Sequence, residues 1–416
     1  MRKSFYLLFL CAGAITAILD LGQVFPYASD VYDLAARKFY HTIRLDYPLS
    51  YLLYAPFFHF ADHLTLLSLN QHFAFLAYLN LGWLAARFFI FRKGPVSTSI
   101  LAREFLNLLG FNAGYAAVFA LVILVPRPMA RLVAENPFFL IFDSHSHTSY
   151  SHDARQSFAP RKNLLWHARA GFNAAFITDH NVFLGAEEAQ SVFGERESAR
   201  AAFGLAGEEV SLFNSHWSLL GNTRLFPNGK YDTGYGGIEL FLKKVRKARG
   251  EIVICNLPEY WLYHKNNLKD FVRWGAQGFE IANSVPIALD FPPSERAQVL
   301  ELCRKNNLIA LGATDNHGWG STAYVWNLVE IFNWRDIPAH QLQGALLTQL
   351  STEGFDAVRV LVRVKAEVRD NKAWLLIDPF LQLWETARSL PPSHAFAILL
   401  WLWASLLAVF LKNKHI

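Results

Sequence analysis

The stretch FDSHSHTSYSHD, residues 142–153, holds three histidines and two aspartates in twelve positions. His145 and His147 stand two apart after the apolar run Phe138 to Phe142, and an extended backbone turns residues i and i+2 to the same face. Two imidazoles on one face form a ready pair of metal ligands. An HxH pair is common by chance, so its weight comes from its company. Thr178-Asp179-His180, Glu208-Glu209 with His216 beyond, Asn283, and Thr314-Asp315-Asn316-His317 each follow an apolar run of strand character. A carboxylate can bridge two cations, whereas a neutral imidazole cannot, so glutamate among histidines points to a centre of several metals. Oxygen and nitrogen ligands without a nearby thiolate suit Mn, Fe or Zn. Cys11, Cys255 and Cys303 show neither disulfide nor zinc-knuckle spacing.

Groups so far apart in sequence meet only if the chain returns them to one place. Between the apolar ends of the chain the pattern alternates helix and strand. Helices are expected over Arg161 to Ala170, Gly237 to Arg249, Leu268 to Gly275 and Glu295 to Lys305. Strands are expected over Ala174 to Thr178, Phe203 to Ala206, Ile252 to Cys255, Gly278 to Ala282 and Leu308 to Leu311. Repeated βα units build parallel sheets, and in a (β/α) barrel the carboxyl ends of the strands converge on one mouth.

The ordered motifs His145-Ser-His147-Thr148 with Asp153, Thr178-Asp-His180-Asn181, Gly207-Glu-Glu209, His216 with Gly221, Glu280 to Asn283 and Asp315-Asn-His317 resemble those of the polymerase and histidinol phosphatase (PHP) family. The likeness runs from about Phe138 to Ala323. It implies an α/β fold, a distorted (β/α)7 TIM-like barrel, whose strand ends hold two or three divalent cations for phosphoester hydrolysis. By this resemblance His145, His147, Glu209 and Asp315 hold one metal, and Glu209 with His216 contributes to a second. Asp153, His180 and His317 hold a third and are the candidate catalytic residues. Glu209 is preferred to Glu208 because it stands two after the glycine, as in the family. One departure matters: where the family carries His-Pro after an asparagine or alanine, this chain reads Asn256-Leu257-Pro258. Leucine ligates nothing, so the second site must make do with water or a displaced side chain such as Asn256 or His264.

Other polar residues have plainer readings. His152 is read as exposed or supporting, His167 as structural, and Glu280 as a supporting or capping carboxylate. The charged face Lys243, Lys244, Arg246, Lys247 and Arg249 is read as solvated. His59, Asp62, His63 and His72 are read as interfacial groups rather than cofactor ligands.

At 53% hydrophobic and 18% charged residues, the 416-residue chain is less polar than a soluble protein needs. Phe105 to Val125 lacks charge and reaches the ~20 apolar residues that cross a bilayer. Gln71 to Phe91 is interrupted only by Arg87, placed to snorkel toward Arg92 and Lys93. Ala395 to Leu411 is apolar, rich in Trp and closed by lysines, and Ser4 to Leu19 is read as an uncleaved first helix. Leu49 to Leu69 carries His59, Asp62 and His63, which argues for an amphipathic or re-entrant helix. The expected organisation is a membrane region over 1–130, a PHP-like hydrolase domain over 138–365 and a transmembrane helix over 393–412. A multi-pass protein of a bacterial-type inner membrane follows, with the hydrolase domain outside the cytoplasm if 49–69 does not cross.

The net charge of +5 lies mostly beside apolar runs, with no basic face interleaved with aromatics, so nucleic acid is not an expected partner. The expected partners are a small phosphorylated substrate and the lipid bilayer. There is no GxSxG elbow and no Walker-type loop, which removes support for acyl transfer and nucleotide-driven motors. The leading expectation is a membrane-anchored metal-dependent phosphoesterase. The alternative is a degenerate barrel that binds metal or ligand as a membrane sensor or scaffold, with Leu257 as its support. Transport through the N-terminal helices has less support, since no paired intramembrane charge is evident beyond Asp62.

Overall fold

The structure, a computed structural model, describes residues 2–91, 98–191, 201–247 and 250–414. Arg92, Lys93 and Arg249, named above, lie outside them. The chain divides into two compact units, one of residues 1–27, 49–128 and 365–416 and the other of 28–48 and 129–364.

Among the described residues the second unit carries thirteen strands: β1 Val31–Asp33, β2 Lys38–Phe39, β3 Ile43–Asp46, β4 Arg131–Ala134, β5 Phe139–Asp143, β6 Ala174–Ile177, β7 Phe203–Leu212, β8 Ser215–Leu220, β9 Ile252–Cys255, β10 Gly278–Asn283, β11 Ile309–Ala313, β12 Val325–Glu330 and β13 Val358–Arg363. Eleven of them form one sheet in the order β11-β10-β9-β8-β7-β6-β5-β12-β13-β1-β2, and β3 pairs with β4 separately. The sheet is mixed and open, whereas the sequence suggested a closed barrel. No ladder joins β11 to β5. Beyond their ends, however, Ser146 and Asn316 form an isolated parallel bridge. Asp315 N–H donates to His145 O (2.9 Å) and His147 N–H to Asn316 O (3.0 Å). Deeper down, the buried side chain of Asn327 on β12 fills the gap, accepting from Gly312 N–H (2.7 Å) and donating to Phe142 O (3.2 Å) and Gly312 O (2.6 Å). Gly312 has no room for more: a Cβ there would lie 2.1 Å from Val325 Cγ2.

The expected βα units are present. Helix Pro160–Ala170 begins with proline in its first turn and ends on Gly171 in the left-handed region (φ 97°), the punctuation that lets the chain reverse into β6. Its face of Leu164, His167 and Ala170 is buried. The departure from plain βα repetition is at β7 and β8, which form an antiparallel hairpin, and β8 is antiparallel to β9 as well. The connection is two residues, Phe213 and Asn214, both at positive φ (35° and 50°), which is the backbone of a tight hairpin turn. β7 is therefore ten residues long and carries Glu208 and Glu209 within it rather than after it.

In the other unit, two helices are long and apolar enough to cross a membrane, Thr98–Leu124 and Pro392–Lys412, while Leu8–Val24 is a shorter apolar helix. Among the described residues these are the two candidates toward the expected multi-pass arrangement, by length and composition. The ambiguous segment 49–69 is broken into Leu49–Leu53 and Ala55–Thr65, of 5 and 11 residues. At 1.5 Å per residue neither spans a ~30 Å core. Its charge is compensated: Asp62 Oδ1 pairs with Arg127 at 2.6 Å, and Asp62 Oδ2 accepts from the Tyr51 hydroxyl (2.6 Å). Arg87 does not simply snorkel. It forms a two-pronged pair with Glu104 at 2.6 Å on each prong, so Asp62 is not the only paired charge among these helices.

Replacing Asn327 by leucine keeps the branched outline of the side chain and removes the polar stitch, leaving Gly312 N–H without that acceptor. A buried group stripped of its partner costs about 1–3 kcal/mol, so Asn327→Leu should lower the unfolding free energy of the full-length protein by about 2 kcal/mol. A urea midpoint matching the parent protein would show that the stitch contributes nothing.

Candidate metal centre

Ligand-type side chains from five strand ends gather at one end of the sheet. The tightest set is His145 and His147, just past β5, Glu209 in β7 and Asp315, just past β11. The Nε2 atoms of the two histidines lie 2.9 Å apart. Glu209 Oε2 is 3.1 Å from His145 Nε2 and 3.3 Å from His147 Nε2, and Asp315 Oδ1 is 3.5 and 3.0 Å from the same atoms. Two ligands about 2.1 Å from a shared ion, at right or tetrahedral angles, stand about 3.0–3.4 Å apart. The set matches that spacing.

The donor chemistry fits a cation better than it fits hydrogen bonding. Glu209 Oε2, Asp315 Oδ1 and His180 Nδ1 are buried without an aligned hydrogen-bond partner, although each faces polar atoms at close range. Buried polar atoms are rarely left so in a folded chain.

Glu209 also reaches away from this set. Its Oε1 is 2.9 Å from His216 Nδ1, and Oε2 is 3.0 Å from His180 Nδ1. His216 is the second residue of β8, opposite Ser211, so the antiparallel hairpin brings the beginning of one strand to the end of the sheet where the others finish. A third group forms around Asp153, whose Oδ2 is 3.2 Å from both His180 Nε2 and His317 Nε2. His147 stacks on His180 and His317 at 4.6 and 4.1 Å between ring centres. Its Nδ1 is taken by Ser151 Oγ (2.9 Å) and its Nε2 faces the first set, and with His180 and His317 it also forms a candidate trio of ligands. All eight sequence-predicted ligands thus lie in one cluster. His180 faces two groups, one with each nitrogen.

Strand alternation separates the two adjacent glutamates. Glu208 points to the opposite face of β7, where Oε2 accepts from Asn222 Nδ2 (3.1 Å) and Phe226 N–H (2.7 Å), and burial pushes its carboxyl up to about 7. His152 is exposed and touches the cluster only through ring contact with His180. His167 is structural: Nε2 meets Asp143 Oδ2 at 2.8 Å and Nδ1 meets Asn163 O. Asp143 in turn accepts from Thr314 N–H (3.0 Å), tying the ends of β5 and β11.

Around the ligands stands a layer of orienting groups. Glu280 Oε1 is 2.8 Å from His145 Nδ1, which leaves Nε2 to face the centre. Such a carboxylate behind a ligating imidazole fixes its tautomer. Asn283 Nδ2 donates to Asp315 Oδ2 (3.1 Å), and Asn256 Nδ2 to Glu209 Oε1 (2.7 Å). Two residues escaped the sequence reading, Glu259 and Tyr260 in helix Leu257–His264. The Tyr260 hydroxyl is 3.1 Å from His216 Nε2. A hint was available, since both follow the anomalous Leu257 in the helix's first turn.

The charges sustain one another. Burial disfavours an ionised Glu209, but His145, His216 and His180 hold it well below the usual carboxylate range. Asp315 is held low by His145 and His317 against the same burial penalty. Burial works against charge on His180 and His317, yet Glu209 and Asp153 carry the first up to about 10, and Asp315 with Asp153 carries the second up to about 9. Burial raises Glu280 to about 7. Glu259 reaches about 8 through burial and the nearby Asp315 and Glu209.

No family model and no curated protein matches the chain. Among solved structures it is similar to a protein from Bifidobacterium adolescentis described as a metal-dependent phosphoesterase, at 14% identity and a TM-score of 0.31, over 43% of this chain and 88% of that one. An amidohydrolase from Chromobacterium violaceum with bound sulfate and no metal gives 15% and 0.30, over 42% and 87%. PsfC from Pseudomonas syringae gives 15% and 0.33, over 51% and 96%. The reading of the site rests on its own geometry.

Loss of a group that orients a ligating histidine typically weakens metal binding 10- to 100-fold. Glu280→Gln should therefore loosen one class of bound cation by about that factor in chelator competition, with the fold intact by circular dichroism. Unchanged affinity would remove Glu280 from the centre.

Proposed function

We propose that the chain is a metal-dependent hydrolase of phosphomonoesters or phosphodiesters. The observation that supports this most directly is the spacing of His145, His147, Glu209 and Asp315 around one point, with buried, unaligned ligand atoms facing it. A bound divalent cation lowers the pKa of its water from 15.7 toward ~7, and a pair stabilises the attacking and leaving oxygens of an in-line displacement. The chain's own part is placement. Glu209 divides its two oxygens between the first set and His216, Glu280 orients His145, and Asn283 fixes Asp315. Asp153, the most exposed of the eight, lines the side from which a substrate enters, with His180 and His317 beside it.

The metals are two or three of Mn, Fe or Zn, and the phosphoester class comes from the resemblance to the PHP family. The bridge between Ser146 and Asn316 supports reading β5 to β11 as the seven strands of a distorted barrel. The apolar helices Thr98–Leu124 and Pro392–Lys412 support attachment to a bilayer, with a small phosphorylated substrate as the soluble partner. One observation favours binding without turnover: Leu257, buried where the resemblance calls for histidine. A large gain of activity in Leu257→His would mean that the native site is crippled.

Elemental analysis of the full-length protein should give two or three transition-metal ions per chain. His145→Ala and Asp315→Ala should each lose at least one ion and more than about 100-fold of the hydrolysis of an aryl phosphate ester. Full metal content and full activity in both variants would overturn the proposal.

A further inference from the structure

The second cation set counts Glu209, His216 and, through Nδ1, His180, whose Nε2 also serves the third group. Glu209 Oε1 and His216 Nδ1 face each other at 2.9 Å, and position 257, the first residue of helix Leu257–His264, offers only an apolar side chain. The two side chains that the sequence suggested as substitutes are already committed. Asn256 Oδ1 accepts from Ser218 N–H (3.3 Å) and Ser218 Oγ (3.0 Å), which turns the amide nitrogen toward Glu209. A donor NH2 does not ligate a cation. His264 Nε2 lies 2.7 Å from Asn214 O, and its Nδ1 is 3.3 Å from the Tyr235 hydroxyl.

Tyr260 is three residues after Leu257, so it falls on the same face of the helix with a longer reach. Its hydroxyl oxygen is 3.1 Å from Nε2 and 3.4 Å from Nδ1 of His216, and the rings are 4.7 Å apart. The lone-pair directions of the two imidazole nitrogens diverge, so one oxygen nearly equidistant from both is not aligned in a hydrogen bond with both. The 3.1 Å to Nε2 suits a hydrogen bond, and the 3.4 Å to Nδ1, beside the 2.9 Å from Nδ1 to Glu209, also matches the spacing of neighbouring ligands on one ion.

We propose that Tyr260 supplies, through its phenolic oxygen, the ligand that position 257 does not, so that the second cation sits among Glu209, His216 and Tyr260. Bound to a cation, Tyr260 would give its phenolic proton to solvent water and present an anionic oxygen. That hard donor suits iron among the candidate metals. The inference rests on the reading of the cluster as a metal centre, and its test separates the two.

Iron is the probe. Full-length protein loaded with ferric iron should show a broad visible charge-transfer absorption with tyrosinate ring modes in its resonance Raman spectrum. Tyr260→Phe should abolish both and release one iron per chain at a chelator concentration that leaves the parent protein loaded, while the other ions stay. Glu259→Gln, altering the neighbouring carboxyl, should keep the band. A protein that holds two or three irons without tyrosinate modes overturns the inference and leaves the metal centre standing, and needs no variant. Bands that persist in Tyr260→Phe, or vanish only in Glu259→Gln, overturn it as well. A protein that takes up no metal removes the centre and the inference together.

Discussion

One carboxylate organises the site. Glu209 is 1% exposed and lies within 2.9–3.3 Å of four histidines, His145, His147, His180 and His216. A buried anion is tolerated only when opposite charge or hydrogen bonds compensate its lost hydration. Here the compensating groups arrive from beyond β5, from beyond β6 and from β8, so the interaction that makes Glu209 affordable ties three strands to β7. The metal centre and the sheet geometry are one constraint: nitrogen atoms 2.9 Å apart need a proton or a cation between them.

That constraint depends on register. In β7 the side chains alternate, and Glu208 and Glu209 face opposite sides. A slip by one residue would send Glu209 to the pocket of Asn222 and Phe226 and bring Glu208 to the histidines. The tight turn at Phe213 and Asn214 pins the register of β7 against β8, and the same turn places His216 opposite Ser211. Phe213 at φ 35° is an uncommon conformation for a bulky side chain. The strain sits at the point that sets the distance from Glu209 to His216.

Most of the candidate ligands were legible in the sequence because they follow apolar runs and carry chemistry that few other positions have; Asp153 entered through the motif resemblance alone. The hairpin was not legible, since Phe-Asn lacks the Asn-Gly or Asp-Gly signature that marks such turns, and β7 read as a short parallel strand. The stitch by Asn327 was hidden for another reason: a lone asparagine in a strand reveals its three hydrogen bonds only once β5, β11 and β12 are adjacent. Strands β1 and β3, of three and four residues, carry too little periodicity to stand out, yet β1 pairs with β13 and β3 with β4. Tyr260 was overlooked because an aromatic residue in an amphipathic helix normally means packing.

The two units resolve buried charge differently. Among the apolar helices Asp62 meets a guanidinium, Arg127, with both side chains nearly inaccessible, and a phenol completes its second oxygen. Nearby, His59 Nε2 and His394 Nδ1 lie 2.7 Å apart, joining residues 335 positions distant in sequence. That arrangement balances itself: a permanent cation offsets the carboxylate, so the segment 49–69 can carry Asp62 without water. At Glu209 and Asp315 no arginine or lysine takes that part among the described residues; beside the amides of Asn256 and Asn283, the balancing groups are histidines, whose charge is conditional on pH. A fold needing only stability would have placed a guanidinium there. Neutral histidines with carboxylates leave room and charge for an external cation, and that difference between the two clusters argues for a metal centre apart from any likeness to other proteins.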